Sequence, residues 1–271
     1  MCGIVGYVGP KQAAPFLLEG MRKLEYRGYD SAGIAVYNGK EITVDKCVGR
    51  LSSLEKKLEG HLPQGHIGIG HTRWATHGRP SDTNSHPHTD CHGDFVVVHN
   101  GIIENYLHIK ERLLAKGHVF LSETDTEVVA HLVEEYYQGD FVAAVTKVLA
   151  EIQGSYSLVF MSRFDPDKIV CTKQDNPLVI GLGEGENFIA SDIPAIINRT
   201  RRTFILSDGE MAVVTKDSVW VTNRMGVPVS KNVFEVHWDA EAAEKGGHDH
   251  FMIKEIFEQP KTLSDSMRGR V

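Results

Sequence analysis

The order of helix and strand patterns along the chain constrains its fold most. Continuous apolar runs at residues 67–71 and 95–99 predict strands that are buried on both faces. Helical patterns come next, at about 103–116, 124–138 and 140–152. A block of short strand patterns then extends from 156 to 222. Because helices and strands are grouped rather than alternating, the pattern favours sheets packed together and covered by helices over a parallel βαβ sheet.

The N-terminal segment predicts a strand, a helix and a hairpin. The strand should begin at Cys2 and end at the turn that follows Gly9, and an amphipathic helix should come next. Residues 31–37 and 41–48 have the composition of strands. The Asn38-Gly39 pair between them is a strong hairpin signal.

The length and charge of the chain limit the classes of protein to which it can belong. A chain of 271 residues can form one large domain or two small ones. Its formal net charge of -7 and the lack of a basic stripe argue against a nucleic-acid partner. No apolar run approaches about 20 residues, and no secretory signal pattern is seen, so we expect no membrane partner. The 4 cysteines include no Cys-x-x-Cys pair, so a reducing cytoplasm is expected.

Composition also indicates where one domain should end. Residues 241–250 are charged, contain glycine and have few apolar side chains, as is typical of a linker. From Phe251 onward the apolar residues recur at helical steps. We therefore predict one domain over residues 1–240, followed by a linker and tail over 241–271.

Cys2 directly follows the initiator methionine and is the first candidate catalytic residue. A small second residue usually allows Met1 to be removed, which would give Cys2 a free α-amine. Such an amine has an unperturbed pKa of about 7.7–8.0 and can act as a general base at neutral pH. A thiol attacks amides once part of it is thiolate. Taken alone, Met-Cys is more often an ordinary strand start, so its meaning depends on the motifs that follow.

Two polar motifs follow the buried strands. Residues 71–78 open a long polar loop, and the planar guanidinium of Arg73 suits bidentate binding of a carboxylate. At the end of the next strand, the Asn100 amide and the Gly101 N–H could point at one oxygen, as in an oxyanion hole. The plain alternatives are a surface loop with a solvated arginine and an ordinary Asn-Gly turn.

Asp125 stands where a helix should begin. Thr124 and Glu127 have the spacing of a capping box, which predicts a helix start. Asp125 lies between them and would be free to bind an ammonium group. A purely structural role in capping is the alternative for this segment.

Four residues close together in sequence, His86, His88, Cys91 and His92, could be metal ligands. Their spacing matches none of the usual zinc patterns, and no second cluster completes a site. We therefore predict no metal and no cofactor. The glycine-rich segment 181–185 lacks the residues of a nucleotide-binding loop and predicts only a turn.

Together these motifs resemble those of the class II, or N-terminal-nucleophile, glutamine amidotransferases. Within that class they are similar to the glutaminase domains of glutamine–fructose-6-phosphate aminotransferases, over about the first 240 residues. The resemblance is carried by MCGIVG at 1–6, LEYRGYDSAG at 24–33, HTRWATHG at 71–78, HNGIIEN at 99–105, SETDTE at 122–127 and FIASD at 188–192. Related amidotransferases share the cysteine start without the stretches at 24–33 and 71–78 in this form.

The resemblance implies an α+β fold, a four-layer αββα sandwich of the N-terminal-nucleophile hydrolase type. It implies hydrolysis of the side-chain amide of L-glutamine through a thioester on Cys2, with the α-amine of Cys2 as base. Asn100 and Gly101 would form the oxyanion hole. Arg73 would bind the α-carboxylate of glutamine and Asp125 its α-ammonium group.

The resemblance also implies supporting residues around the substrate. Thr76 and His77 would assist in substrate binding. Trp74 would lie on a mobile loop over residues 73–80 and would gate the exit of ammonia. Arg27 and Asp30 would support the site from behind.

A sugar-phosphate isomerase domain, which is missing from this chain, is the implied partner. It would use the ammonia to convert fructose 6-phosphate into glucosamine 6-phosphate for hexosamine biosynthesis, in a full-length protein expected to be a homo-oligomer. This chain alone should release ammonia without forming the amino sugar. The alternatives are a catalytically silent glutamine-sensing domain, the glutaminase domain of another class II amidotransferase, and an autoprocessing hydrolase with a different amide substrate.

Overall fold

The structure of the protein, a computed structural model, describes residues 2–237, 248 and 251–267. The chain forms two compact units, one reaching to Glu235 and a second beginning at Val236. The linker predicted over 241–250 lies outside the described residues, apart from His248.

The first unit contains two antiparallel sheets, with strands numbered along the chain. The larger sheet has eight strands in the spatial order β14 (Phe234–Glu235), β11 (Arg202–Ile205), β9 (Val179–Leu182), β10 (Asn187–Ala190), β1 (Gly3–Val8), β4 (Ile67–Arg73), β2 (Ser31–Tyr37) and β3 (Ile42–Val48). The smaller has six, in the order β13 (Val219–Thr222), β12 (Met211–Thr215), β8 (Lys168–Gln174), β7 (Gly154–Ser162), β6 (Phe95–Ile103) and β5 (His88–Thr89).

Helices cover the outer face of each sheet. The helices are α1 (Ala13–Leu24), α2 (Leu51–Lys57), α3 (Tyr106–Ala115), α4 (Glu127–Tyr136), α5 (Phe141–Glu151) and, in the second unit, α6 (Phe251–Met267). The first two pack on the larger sheet and the next three on the smaller one. The first unit is therefore the predicted four-layer αββα sandwich.

Strand β1 illustrates why the pattern of apolar residues produces these layers. Its side chains point to opposite faces in alternation, so Ile4 and Val8 enter the core between the sheets, whereas Val5 and Tyr7 face the helices. Both faces are buried, and the strand is accordingly apolar throughout. The prediction of strands buried on both faces is confirmed.

The predicted hairpin is also confirmed. Strands β2 and β3 pair along their whole length, from Ser31 opposite Val48 to Tyr37 opposite Ile42. In the turn, the side-chain oxygen of Asn38 accepts hydrogen bonds from the N–H groups of Lys40 at 2.9 Å and Glu41 at 3.0 Å.

The predicted capping box is wrong. Helix α4 begins at Glu127, and its N-cap is Thr126, whose side chain caps nothing. The Glu127 carboxylate reaches further back and accepts hydrogen bonds from the N–H groups of Leu121 at 2.8 Å and Ser122 at 2.7 Å. In a capping box the Glu127 carboxylate would accept a hydrogen bond from the Thr124 N–H. Here it accepts from the two N–H groups of the turn before the helix, which would otherwise lack partners.

Strand β6 is longer than predicted. It continues through Asn100 and Gly101 to Ile103, and these residues pair with β7 at Ser157 and Tyr156. The Asn-Gly pair therefore lies in a strand, and its interpretation as an ordinary turn is wrong. Two short strands, β5 and β14, were not predicted because two residues carry no recognisable alternation.

Helix α6 confirms the helical pattern of the tail. It begins at Phe251 and continues past Pro260 to Met267. Within the described part of the chain, no helix combines the length and apolar character that crossing a membrane requires.

The core between the sheets should dominate the stability of the first unit. We expect Ile180→Ala to lower the free energy of unfolding by about 2–5 kcal/mol, because the side chain is fully buried between the sheets. Ile205→Ala, on the neighbouring strand and 47% exposed, is the matched control and should change it by about 0.5 kcal/mol or less. Urea unfolding followed by circular dichroism measures both, and equal losses would contradict the assignment of this core.

Candidate active site

Cys2 is positioned by the pairing of β1 with β4. Gly3 lies opposite Thr72, which brings Cys2 beside the end of β4. Its Sγ accepts a hydrogen bond from the Trp74 N–H at 3.2 Å. A side chain at Gly3 would approach Thr72 Oγ1 to 2.6 Å, so the close approach requires glycine. Burial raises the pKa of the Cys2 thiol, so a base must accept its proton before it can act as a thiolate at neutral pH.

The Cys2 carbonyl is held from two sides. Asn100 Nδ2 donates to it at 3.0 Å and Arg27 Nε at 3.2 Å. Arg27 also pairs through Nη1 with Asp192 Oδ2 at 2.9 Å. Arg27 thus connects the Cys2 carbonyl to the Asp192 carboxylate.

The Asn100 amide is oriented by a buried histidine. His71 Nε2 lies 2.9 Å from the His99 carbonyl and 3.0 Å from Asn100 Oδ1. Because both neighbours are acceptors, we assign the proton of His71 to Nε2. This hydrogen bond fixes the oxygen end of the amide and points the Nδ2 donor towards Cys2.

Gly101 cannot be replaced by a residue with a side chain. Its φ is +132°, and a Cβ would lie 2.0 Å from the Ser155 carbonyl oxygen. Glycine is needed for the backbone to pass this close to β7. Asn100 and Gly101 both line the cavity beside Cys2.

Arg73 lines the same cavity and has one buried guanidinium nitrogen without a hydrogen-bond partner in the described part of the chain. Its side chain is buried, and Nη2 donates to the carbonyl oxygens of His77 and Gly78. Nη1 is buried and has no hydrogen-bond partner among the described residues. A buried unpaired guanidinium nitrogen is costly, and an anionic ligand in the cavity would satisfy it.

Asp125 contributes a buried carboxylate to the lining of this cavity. Its Oδ2 accepts from the Ile103 N–H at 2.8 Å. Two histidine rings lie near this carboxylate, with His77 Nδ1 at 4.0 Å and His99 Nδ1 at 3.9 Å. Burial lowers the pKa of His99, so that ring is neutral and leaves the carboxylate available to a cation.

One cavity of about 250 Å³ brings together most of the residues selected from the sequence. Its lining includes Cys2, Arg27, Arg73, Trp74, Thr76, Asn100, Gly101 and Asp125. The remaining two selected residues are not among the lining residues. His77 contributes its carbonyl oxygen to Arg73, and its ring contacts Tyr106. Asp30 accepts the N–H of Ala75 and so braces the loop that follows Arg73.

Trp74 stands on the outer side of this loop. It is 49% exposed, and its ring meets Tyr29 edge-on at a centroid distance of 5.5 Å. Sequence reasoning missed Thr126, Asn176 and Pro177, which also line the cavity. Thr126 lies within the polar segment 122–127 but was not selected, whereas Asn176 and Pro177 come from a segment for which no motif was identified.

Buried histidines form one wall of the site. The His86 ring lies 4.3 Å from that of His71 and 4.6 Å from that of His88. His86 and His99 each bond to Thr126 Oγ1, at 3.0 Å and 2.8 Å. Burial lowers the pKa of all of them, that of His71 to about 3, so they are neutral in the folded protein.

These histidines should make the protein sensitive to acid. The pKa of the His71 ring is 6.5 in the unfolded chain and about 3 in the folded protein, so the unfolded chain binds more protons between these two pH values. Its contribution to stability is complete above pH 6.5 and falls as the pH drops towards 3, by up to about 1.4 kcal/mol per pH unit. We expect His71→Gln to reduce this slope in urea unfolding measured from pH 7 to 5. His61→Gln, at an exposed position, is the control; an unchanged slope in His71→Gln would contradict the assignment.

The sequence is similar to known proteins along its whole length. A family described as glutamine amidotransferase domain matches residues 71–198. The glutamine–fructose-6-phosphate aminotransferase (isomerizing) of Caldanaerobacter subterraneus subsp. tengcongensis is 58% identical, over 100% of this chain and 45% of the relative. That of Pyrococcus horikoshii is 53% identical, over 100% of this chain and 46% of the relative. The chain thus spans less than half the length of these curated relatives.

The fold is similar to those of solved structures. Glutamine phosphoribosylpyrophosphate amidotransferase from B. subtilis, complexed with ADP and GMP, matches with a TM-score of 0.72 and 25% identity, over 82% of this chain and 49% of that chain. A glutamine aminotransferase class-II domain protein from Silicibacter pomeroyi has the same fold, with a TM-score of 0.56 and 14% identity, over 82% of this chain and 99% of that chain. The chain therefore belongs to the class II glutamine amidotransferases, and it corresponds to the N-terminal glutaminase domain of the glutamine–fructose-6-phosphate aminotransferases.

Proposed function

We propose that this chain hydrolyses the side-chain amide of L-glutamine to glutamate and ammonia, with Cys2 as nucleophile. One observation supports this most: the cavity beside the thiol is lined by Arg73, whose buried guanidinium has one nitrogen without a partner among the described residues, and by the buried carboxylate of Asp125. This pair of charges is complementary to a free α-amino acid. A peptide amide within a chain would lack both charged groups.

In the proposed complex, the two charges orient the substrate. Arg73 Nη1 binds the α-carboxylate, and Asp125 binds the α-ammonium group. Thr76 and His77 assist at the edge of this subsite. With its α-carbon held there, glutamine directs its side-chain amide towards Cys2, which converts attack into a step within one complex.

The proposed reaction has two stages. After removal of Met1, the α-amine of Cys2 accepts the thiol proton while sulfur attacks the amide carbon. The Asn100 amide and the Gly101 N–H stabilise the resulting oxyanion, and the proton passes to nitrogen as the C–N bond breaks and ammonia leaves. Water then cleaves the thioester, which releases glutamate and restores the thiol. Asn100 Nδ2 carries two N–H groups; one bonds to the Cys2 carbonyl in the resting site, which leaves the second for the oxyanion.

The loop over residues 73–80 is proposed to close on the substrate. Gly78, with a φ of +74°, permits the sharp turn that this loop needs. Trp74 would then gate the exit of ammonia, while Arg27 and Asp30 keep the base of the loop in place. Closure would exclude water from the ammonia before it leaves.

In the whole protein, we propose that the ammonia serves a second reaction. The relatives are named for fructose 6-phosphate and are about twice as long as this chain. A sugar-phosphate isomerase domain outside this sequence would convert that sugar into glucosamine 6-phosphate, in a cytoplasmic homo-oligomer. The 271-residue chain alone is expected to form no amino sugar.

The nucleophile can be tested directly. We expect Cys2→Ala to lower glutamate release at least about a thousandfold, because the thiol forms the covalent intermediate. Cys47→Ala, a free thiol outside the cavity, is the matched control and should keep full activity. A glutaminase assay measures the rates, and intact mass shows whether Met1 has been removed.

Each outcome of this experiment has a distinct meaning. Residual activity of Cys2→Ala near that of the unmodified protein would exclude Cys2 as nucleophile. Processed protein that binds glutamine without turnover would instead support a silent glutamine-sensing domain. Protein that retains Met1 should be inactive, because its α-amine then belongs to the wrong residue.

The substrate subsite generates a separate prediction. Arg73→Lys should raise KM about a hundredfold, since lysine is a point charge and cannot form the fork to a carboxylate in this buried site. Arg163→Lys, at an exposed position outside the cavity, should leave KM unchanged. Steady-state kinetics with glutamine measures both variants. An equal KM in all three proteins would remove Arg73 from substrate binding.

A further inference from the structure

Four side chains with metal-binding atoms converge on the helical side of the smaller sheet, away from the cavity beside Cys2. Cys91 follows β5, His118 lies between α3 and α4, and His131 and Glu134 are on α4. Their ligand atoms all lie within 4.8 Å of one another. No step of the proposed hydrolysis uses them. We propose that they form a tetrahedral binding site for a zinc ion.

The distances between these atoms match the edges of a zinc tetrahedron. With bonds of about 2.0–2.1 Å to nitrogen and 2.3 Å to sulfur, neighbouring nitrogens lie about 3.3 Å apart, and sulfur and nitrogen about 3.6 Å apart. The two Nδ1 atoms of His118 and His131 are 3.3 Å apart. Cys91 Sγ lies 3.7 Å from the first and 3.5 Å from the second. Glu134 Oε2 is 3.1 Å and 3.4 Å from the same two nitrogens.

The two histidines have the carboxylate neighbours that zinc ligands commonly use. His118 Nε2 lies 3.3 Å from Glu135 Oε2. The buried His131 ring has its Nε2 3.8 Å from Glu127 Oε1, and that nitrogen makes no hydrogen bond among the described residues. The Glu135 carboxylate is placed to hold the proton of His118 on Nε2, and Glu127 is the carboxylate that faces Nε2 of His131. The lone pair of each Nδ1 is then free to bind the ion.

The charges and donor types select the ion. The Cys91 thiol loses its proton to solvent on binding, and the Glu134 carboxylate is already anionic. Together they neutralise a divalent cation. One sulfur, two imidazole nitrogens and one oxygen suit zinc, whereas magnesium and calcium require oxygen ligands. Four protein ligands leave no open position, so the site is structural rather than catalytic.

The ion would fasten three segments that the sequence keeps far apart. Cys91 and His118 are separated by 27 positions, and His118 and His131 by 13. The expectation of no metal considered Cys91 only with its neighbours His86, His88 and His92. Of these, His86 and His88 bond to threonines in the wall of the catalytic cavity or beside it. The ligands that complete the site come from α4 and from the segment between α3 and α4, where no short motif marks them.

Zinc content tests the proposal. Protein with Cys2→Ala, which removes the competing catalytic thiol, is purified without a metal-affinity tag and titrated with zinc against a chromophoric chelator. We expect about one zinc per chain, lost when Cys91→Ser or His118→Ala is added. The matched controls Cys47→Ser and His108→Ala lie outside the cluster and should retain it. Zinc at about a hundredfold excess over its Kd should raise Tm by about 5–10 °C.

A spectroscopic measurement keeps the test independent of variant folding. Cobalt bound to the Cys2→Ala protein, with all four proposed ligands intact, should show the strong visible bands of tetrahedral cobalt and a thiolate charge-transfer band. Cys91→Ser should lose the second band. Stoichiometric binding that survives both Cys91→Ser and His118→Ala, or cobalt spectra of an octahedral ion, would overturn the proposal. Glutaminase activity is measured in parallel, so that failure of this site is distinguished from failure of the catalytic one.

Discussion

The antiparallel pairing of β1 with β4 is the interaction on which the site depends. It aligns Gly3 with Thr72, and therefore the residue before β1 with the residues after β4. Because β1 also pairs with β10 on its other side, Cys2 projects from the middle of the larger sheet. The thiol lies at the end of β1, where β6 of the smaller sheet supplies Asn100 and Gly101 to the same cavity. Strand pairing thus fixes Cys2 relative to β4, and the packing of the two sheets fixes it relative to Asn100 and Gly101.

Much of this arrangement could be predicted from the sequence. The apolar runs of β4 and β6 and the grouped helices identified the two-sheet sandwich, since a strand buried on both faces has little choice of residue. Arg73, Asn100 and Gly101 were found because they stand at the ends of those runs in polar motifs. The capping box failed because its spacing cannot reveal that Glu127 has other buried donors to satisfy.

Contacts between distant segments could not be predicted. Thr126 joins His86 and His99 through one hydroxyl, although 40 and 27 positions separate it from them. Periodicity describes one element at a time and does not report which atoms of different elements meet. The histidine wall and the cluster around Cys91 both depend on such meetings. Both involve α4: Thr126 is its N-cap, and His131 and Glu134 lie on it. Asp125 comes just before that helix.

The central place of β1 also limits how this fold can be extended by gene fusion. In the proposed mechanism the α-amine of Cys2, just before β1, is the base, and it would lose that role if a further peptide bond joined it to added residues. Domains or affinity tags added before Cys2 would have to be cut away before the protein could work. New partners can therefore be joined without processing only behind the last strand, which is where the longer relatives carry their additional sequence.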